Sequence, residues 1–219
     1  MSAITPARFP FLLFDLDGTL TESGPGITGS IAWTFRQMGL EPGSPQELRR
    51  FIGPPLRDSL RDFRGMSEEE ADRFIRLYRD RYETVGVLQS DPYPGIPALL
   101  EDLHRAGYTL LTATSKLREV ALQVLDHYSL VSYFAYVGGG DPIEGQDKPS
   151  VIRRTLETAG AAAPKSLMIG DRKYDILGAK ANRVTSMGVL YGYGDRSELQ
   201  AAGADYIAES VADLRRLLL

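Results

Sequence analysis

The spacing of apolar positions changes along the chain and divides it into three stretches. Phe11–Phe14 is a short, continuous apolar run bounded by turn residues, the pattern of a strand buried on both faces of a parallel sheet. From residue 22 to about 90, apolar positions such as Ile27 and Ile31 recur at helical spacing. From Ile96 onward, short apolar runs alternate with helical segments, which predicts an α/β sheet with parallel strands.

The predicted elements give a fold class and a domain division. The later strands are predicted at 108–113, 133–137, 166–169, 185–189 and 206–207. Helices are predicted at 27–38, 46–51, 57–63, 67–85, 96–106, 117–126, 149–159, 175–182, 197–202 and 211–218. We therefore expect a doubly wound, Rossmann-like α/β core formed by residues 1–21 and 92–219, with a small all-helical domain, residues 22–91, inserted after the first strand. Turn-rich stretches at both junctions suit hinges.

Composition narrows the class of protein. With 25 basic and 29 acidic residues, the formal net charge is −4, which argues against broad binding of nucleic acid or anionic membranes. The absence of cysteine excludes disulfides and thiolate chemistry. The sequence begins with no basic and apolar leader and contains no apolar segment long enough to span a bilayer, so we expect a cytoplasmic protein.

The first predicted strand ends in two carboxylates, Asp15 and Asp17. Ligands of open α/β sheets bind beyond the carboxyl ends of the strands, where such acids can act as a nucleophile, a metal ligand or a proton donor. A calcium loop is excluded, because counting from Asp15 puts Gly26 at the twelfth position, which a glutamate should occupy. A simple acidic turn after a strand stays open from these residues alone.

Three further strand ends carry residues that suit a phosphate site. Thr114 and Ser115 follow the second strand, where we expect a helix N-terminus suited to an anion or an ordinary helix cap. Lys148 begins the helix after the third strand, where its positive charge is unfavourable with respect to the helix dipole. This position suggests that Lys148 holds a phosphate, and the alternative is a solvated surface lysine. Asp171 and Asp175 follow the fourth strand and bring two more carboxylates to the same edge, although both also suit helix caps.

Taken together and in this order, these residues resemble the haloacid dehalogenase superfamily, most of whose members are Mg²⁺-dependent phosphatases. Residues 14–20, Phe-Asp-Leu-Asp-Gly-Thr-Leu, resemble its first motif. The positions similar to the second, third and fourth motifs are Thr114, Lys148, and Asp171 with Asp175. The helical block resembles the C1-type cap of the branch that contains phosphoglycolate phosphatases and β-phosphoglucomutases. Residues 169–175 and 188–194 most resemble proteins labelled phosphoglycolate phosphatase or 5′-nucleotidase.

The resemblance implies a mechanism and a cofactor. Asp15 would attack phosphorus and form an aspartyl-phosphate, while Asp17 would act as the acid and then the base. Mg²⁺ would be held by Asp15, the backbone carbonyl of Asp17 and Asp171, with Asp175 acting directly or through water. The remaining site residues would contact phosphate: Thr114, the Ser115 backbone N–H and Lys148. Zinc is disfavoured because no histidine or cysteine joins these motifs; His104 lies in a predicted helix and His127 directly follows one, and both are taken as structural.

The substrate is expected to be a small phosphorylated metabolite, and the protein a monomer or homodimer. In this branch the cap sets the substrate, and residues 53–59 form a rigid turn that presents Arg57. Arg57 would bind a substrate carboxylate or a second phosphate, or is an ordinary surface arginine. Three alternatives remain: a phosphosugar mutase, a metal-independent dehalogenase, and a non-catalytic binding domain. Opening and closing of the cap about the two junctions is a further hypothesis.

Overall fold

A computed structural model describes residues 4–219, which form two compact units. The first unit comprises the described residues up to Thr21 together with Pro92–Leu219, and the second is Glu22–Asp91. No helix within the described part of the chain is long and apolar enough to cross a membrane.

The first unit is built on a six-stranded parallel sheet. Its strands are β1 (Phe11–Phe14), β4 (Thr109–Leu117), β5 (Phe134–Gly140), β6 (Ser166–Gly170), β7 (Thr185–Val189) and β8 (Tyr206–Ala208). The strand order is β5-β4-β1-β6-β7-β8. The chain thus fills one side of β1 and then the other, which makes the carboxyl end of β1 the switch point where ligands bind in such sheets. The remaining strands, β2 (Thr21–Glu22) and β3 (Asp91–Pro92), pair as a separate two-stranded sheet.

The described part of this unit also contains six α-helices, of which the last follows the final strand. They are α5 (Ile96–Arg105), α6 (Arg118–His127), α7 (Lys148–Ala159), α8 (Lys173–Ala181), α9 (Arg196–Ala202) and α10 (Val211–Leu218). Apolar side chains of the central strands, such as Leu13, Leu111 and Met168, pack against Val151 and Ile152 of α7 in one buried cluster. Burial on both faces explains why these strands are continuous apolar runs rather than alternating ones.

The second unit contains four α-helices: α1 (Gly24–Gln37), α2 (Pro45–Arg49), α3 (Leu56–Arg64) and α4 (Glu68–Thr84). Phe35 and Phe74 are buried, and their rings meet edge to face with centroids 4.7 Å apart. Ser67 begins α4 with the predicted capping box, in which its hydroxyl accepts from the Glu70 N–H and the Glu70 carboxylate accepts from the Ser67 N–H. The fold class predicted from the sequence, a doubly wound α/β core with an inserted helical block, is confirmed.

Candidate active site

The candidate site begins where β1 ends. The Asp15 N–H donates to the Ile169 carbonyl over 2.9 Å, so Asp15 continues the pairing of β1 with β6, and its carboxylate accepts from the Leu16 N–H at 2.8 Å. The chain then turns through Gly18, which has φ of +82°. A Cβ at Gly18 would lie 2.2 Å from Asp171 Oδ2. Both the backbone conformation and the space therefore require glycine at this position.

Two more carboxylates reach the same edge from the end of β6. Asp171 Oδ2 accepts from the Tyr193 N–H at 2.7 Å, and its Oδ1 accepts from the Thr19 hydroxyl at 3.4 Å. Asp175, in the first turn of α8, accepts from the Arg172 N–H at 3.0 Å. Asp175 is fully buried, so it is more than a surface helix cap.

Lys148, the first residue of α7, lies between two of these acids. Its Nζ is 2.7 Å from Asp15 Oδ1 and 2.6 Å from Asp175 Oδ1, and it donates to the Ala113 carbonyl at 2.9 Å. The side chain is 2% exposed, which excludes the solvated surface lysine that the sequence left open. Burial favours the neutral amine, but the two carboxylates outweigh it and raise the pKa of Lys148. The ammonium therefore stays charged.

Asp15, Asp171 and Asp175 form a group that can hold a metal ion. All three are buried, and each offers a carboxylate oxygen within 4.8 Å of the others. Burial raises the pKa of Asp15 to about 7, and Asp175 adds to this, although Lys148 opposes it. Burial, Asp175 and Asp15 likewise raise the pKa of Asp171 well above its usual range. An all-oxygen group with unfavourable negative charge fits Mg²⁺, which binds through carboxylates and retained waters.

Asp17 lies beside a second lysine to which the sequence analysis gave no role. Lys116 Nζ is 2.8 Å from Asp17 Oδ1, and the two side chains are 7% and 14% exposed. The sequence feature that could have indicated a role for Lys116 is its position directly after Thr114 and Ser115, at the end of a predicted strand. The site thus brings together four carboxylates and two ammonium groups.

The helix predicted at 117–126 is present within one residue of the predicted bounds, but the prediction that Thr114 and Ser115 lie at its N-terminus is wrong. β4 continues to Leu117 and α6 begins only at Arg118, because Leu117 pairs with Gly140 of β5 after a bulge and the chain stays extended. The Thr114 hydroxyl accepts from the Lys116 N–H at 3.3 Å. Ser115 Oγ is buried without a hydrogen-bond partner in the described part of the chain, as expected for a hydroxyl that contacts a ligand.

Arg57 lies in α3 of the helical unit. Its two terminal nitrogens contact Glu68 Oε2 at 2.7 Å and Asp72 Oδ1 at 2.5 Å, and its side chain is 42% exposed. The guanidinium is thus already engaged by two acids of α4. Its contact with substrate stays a prediction.

Comparison with known proteins gives a consistent family. A family model described as haloacid dehalogenase-like hydrolase matches residues 12–189. A 5′-nucleotidase of Pseudomonas aeruginosa is 38% identical, over 96% of both chains, and a phosphoglycolate phosphatase of Vibrio parahaemolyticus is 30% identical, also over 96% of both. The crystal structure of a predicted phosphatase from Clostridium acetobutylicum superposes with a TM-score of 0.91, at 38% identity and 98% coverage of each chain.

Proposed function

Because the chain belongs to the haloacid dehalogenase-like hydrolases, we propose that it is a Mg²⁺-dependent phosphatase of small phosphate monoesters. The observation that carries this proposal is the buried group of Asp15, Asp171 and Asp175, with Lys148 between two of them, at the switch point of the sheet. Phosphoryl transfer needs positioned charge of this kind.

The substrate we propose is a phosphoglycolate-like ester or a nucleoside 5′-monophosphate. The names of two relatives, a 5′-nucleotidase and a phosphoglycolate phosphatase that each match over 96% of the chain, support this choice. Phosphoglycolate and the nucleoside 5′-monophosphates are small anionic esters, which Lys116 and Lys148 together with a bound divalent cation could accommodate.

In the proposed reaction Asp15 is the nucleophile. One carboxylate oxygen of Asp15 attacks phosphorus, a new P–O bond forms, and the bond to the ester oxygen breaks. Asp17 gives a proton to the departing oxygen, which leaves as an alcohol. Asp17 then takes a proton from water, which attacks the aspartyl-phosphate and releases phosphate and free Asp15. The 2.8 Å ion pair with Lys116 would hold the Asp17 carboxylate in place between these steps.

Charge explains why a divalent cation is required. With all four acids ionised, the site would hold four negative and two positive charges, so two negative charges would be uncompensated before any substrate enters. Two like charges 4 Å apart cost about 4 kcal/mol at an effective dielectric constant of 20. When bound by Asp15, Asp171 and Asp175, Mg²⁺ supplies the positive charge that allows a phosphate dianion to approach. Thr114, the Ser115 backbone N–H and Lys148 then bind its oxygens, and the Ser115 hydroxyl, which has no partner among the described residues, could add a further hydrogen bond.

Release of inorganic phosphate tests the proposal. Purified protein is assayed with phosphoglycolate, nucleoside 5′-monophosphates and p-nitrophenyl phosphate, each with Mg²⁺ and with EDTA. We expect turnover of at least one ester that EDTA abolishes and Mg²⁺ restores. A hexose 1-phosphate in the same panel identifies a phosphosugar mutase if it is isomerised without phosphate release.

Two variants test the residue roles. Asp15→Asn should abolish turnover while the circular dichroism spectrum stays native. Asp17→Asn should slow hydrolysis of the intermediate, so mass spectrometry should find phosphate on Asp15. Near-normal turnover by Asp15→Asn would show that another group is the nucleophile.

A further inference from the structure

The segment Tyr191–Gly194, which connects β7 to α9, lies against Asp171. Its Tyr193 N–H donates to Asp171 Oδ2 over 2.7 Å, a short bond to a fully buried carboxylate. A backbone N–H bonded to a carboxylate fixes the direction of that oxygen, since the backbone cannot rotate away as a side chain can. The segment carries no acid or base of the proposed reaction, so its contact with Asp171 calls for another explanation.

Two glycines allow this close approach. A Cβ at Gly192 would lie 2.2 Å from the Gly18 carbonyl oxygen and 2.4 Å from Asp171 Cβ. A Cβ at Gly194 would lie 2.0 Å from the Asp171 carbonyl oxygen. Neither glycine has a positive φ, so space alone, and not backbone conformation, requires glycine here.

Tyr191 is linked through Thr19 to the other oxygen of the Asp171 carboxylate. Its hydroxyl donates to the Thr19 carbonyl at 3.0 Å, and its ring meets Tyr93 edge to face with centroids 5.1 Å apart. The Thr19 hydroxyl in turn donates to Asp171 Oδ1 at 3.4 Å. Both carboxylate oxygens of Asp171 are therefore oriented, one by Tyr193 directly and one through Thr19.

We propose that Tyr191–Gly194 is a positioning segment that holds the Asp171 carboxylate in the orientation that binds Mg²⁺ and so sets the affinity of the site for the ion. This inference rests on the proposed function, because it assigns Asp171 to the metal. Groups that orient a metal ligand commonly change metal affinity by about 10- to 100-fold when they are altered. The segment's hydrogen bond is to Asp171, the expected metal ligand, so its effect should fall on metal binding rather than on the chemical step.

Gly192→Ala tests the segment by pushing on Asp171. Mg²⁺ affinity is measured by isothermal titration calorimetry on metal-free protein, and kcat as a function of Mg²⁺ concentration. We expect the dissociation constant for Mg²⁺ to rise about 10- to 100-fold, and kcat at saturating Mg²⁺ to return to within about 3-fold of wild type. The control is Gly29→Ala in α1, where the nearest atom to a new Cβ is 4.0 Å away and Mg²⁺ affinity should not change.

Tyr191→Phe removes only the hydroxyl and keeps the ring against Tyr93. It therefore tests whether the segment sets the Mg²⁺ affinity even if Gly192→Ala does not fold. A several-fold loss of Mg²⁺ affinity with recovery of kcat at high Mg²⁺ supports the proposal. Wild-type Mg²⁺ affinity in every folded variant of the segment overturns it, as does a kcat that stays low at saturating Mg²⁺. Failure of the wild-type protein to bind Mg²⁺ would instead overturn the proposed function.

Discussion

Each of the two units contains a cation held between two carboxylates, but the two clusters differ in burial. In the α/β unit, Lys148 lies 2.7 Å from Asp15 and 2.6 Å from Asp175, with its side chain 2% exposed. In the helical unit, Arg57 has two acidic partners at similar distances, yet its side chain is 42% exposed. The ion-pair distances are alike, and the large difference between the two clusters is their exposure to water.

The difference in burial determines how much each of the two ion-pair clusters can contribute to the stability of the protein. At the exposed cluster, water screens the charges and the long side chains lose entropy when they are fixed, so such pairs usually contribute at most about 1 kcal/mol each. At the buried cluster, removing charges from water costs several kcal/mol per ion, and breaking the set leaves uncompensated charge. A protein gains little stability from such a buried cluster, and a chemical role is therefore the better explanation for Lys148.

The largest effect is expected for Lys148→Met, which keeps the aliphatic chain and removes the charge. Asp15 and Asp175 then remain buried with no cation between them, so we expect a loss of about 3–5 kcal/mol in the free energy of unfolding. Phosphatase activity should fall at least 100-fold, because phosphoryl transfer is catalysed mainly by positioned charges that stabilise the transition state, and the variant lacks one of them. Urea unfolding in EDTA and steady-state assays measure the two losses.

The matched control for this variant is Lys165→Met, at an exposed lysine of the same unit. It should change the free energy of unfolding by less than about 0.5 kcal/mol. Equal stability of the two variants would show that the buried cluster costs no more to break than a surface site.

The next prediction concerns the pH dependence of stability, which the variant Asp15→Asn relates to the ionisation of Asp15. The folded pKa of Asp15, about 7, lies above its unfolded value of 3.8, so the folded protein holds this proton more tightly. The contribution of the protonated Asp15 carboxyl to the free energy of unfolding is therefore present at low pH and is lost as the pH rises from about 4 to about 7. Asp15→Asn removes that dependence, so the melting temperature of the variant minus that of the metal-free wild type should be larger at pH 8 than at pH 5.

Thermal unfolding in EDTA at the two pH values gives this difference directly. Adding Mg²⁺ at pH 8 should raise the melting temperature of the wild type more than that of the variant, because the ion compensates the same charge. A difference between the two proteins that is constant with pH, or that shrinks as pH rises, would contradict the raised pKa of Asp15.

Lys116 is the intermediate case, since its side chain and that of Asp17 are 7% and 14% exposed. Lys116→Met should lower kcat about 10-fold, a part of the roughly 100-fold or more that a positioned proton donor contributes. Lys116→Arg keeps the charge and should recover part of this loss. A change in KM alone, with kcat unaffected, would mean that Lys116 binds substrate and does not position Asp17.

The sequence predicted what depends on local pattern. Five buried apolar runs were recognised as later strands, and all of them are strands of the sheet, with 185–189 matching β7 in full. Because the carboxyl ends of parallel strands lie at one edge of the sheet, the sequence predicts that Asp15, Lys148, Asp171 and Asp175 meet there. Lys148 Nζ lies 2.7 Å from Asp15 and 2.6 Å from Asp175, and Asp171 offers a carboxylate oxygen within 4.8 Å of those of the other two acids, which agrees with that expectation.

The sequence could not predict features that depend on distant partners. β4 runs on to Leu117 because Gly140 lies beside it, and nothing within residues 114–117 signals this pairing. The strands β2 and β3 could not be predicted either, because two residues are too few to show an alternation of apolar and polar positions. The ion pair of Lys116 with Asp17 joins residues that are 99 positions apart, and surface lysines are common enough that its type alone gives no signal.

The smallest effect is expected for Arg57→Ala, which breaks both ion pairs of the exposed cluster. Because water screens these two pairs, the free energy of unfolding should fall by less than about 2 kcal/mol. Arg153→Ala, which breaks an exposed pair with Glu157 at side-chain exposures of 54% and 62%, is the matched control and should show a similar small change. A loss above about 3 kcal/mol would place the Arg57 cluster with the buried one and remove the contrast between the two units.

The same variant tests the prediction that Arg57 binds substrate. If its guanidinium leaves Glu68 and Asp72 for a substrate carboxylate, KM for phosphoglycolate should rise in Arg57→Ala while KM for p-nitrophenyl phosphate, which has no carboxylate, stays unchanged. Equal KM values in variant and wild type for both esters would assign Arg57 to the two ion pairs of the helical unit alone. A rise for both esters would point to a general effect on the helical unit and not to recognition of a carboxylate, because only one of the two substrates offers that group.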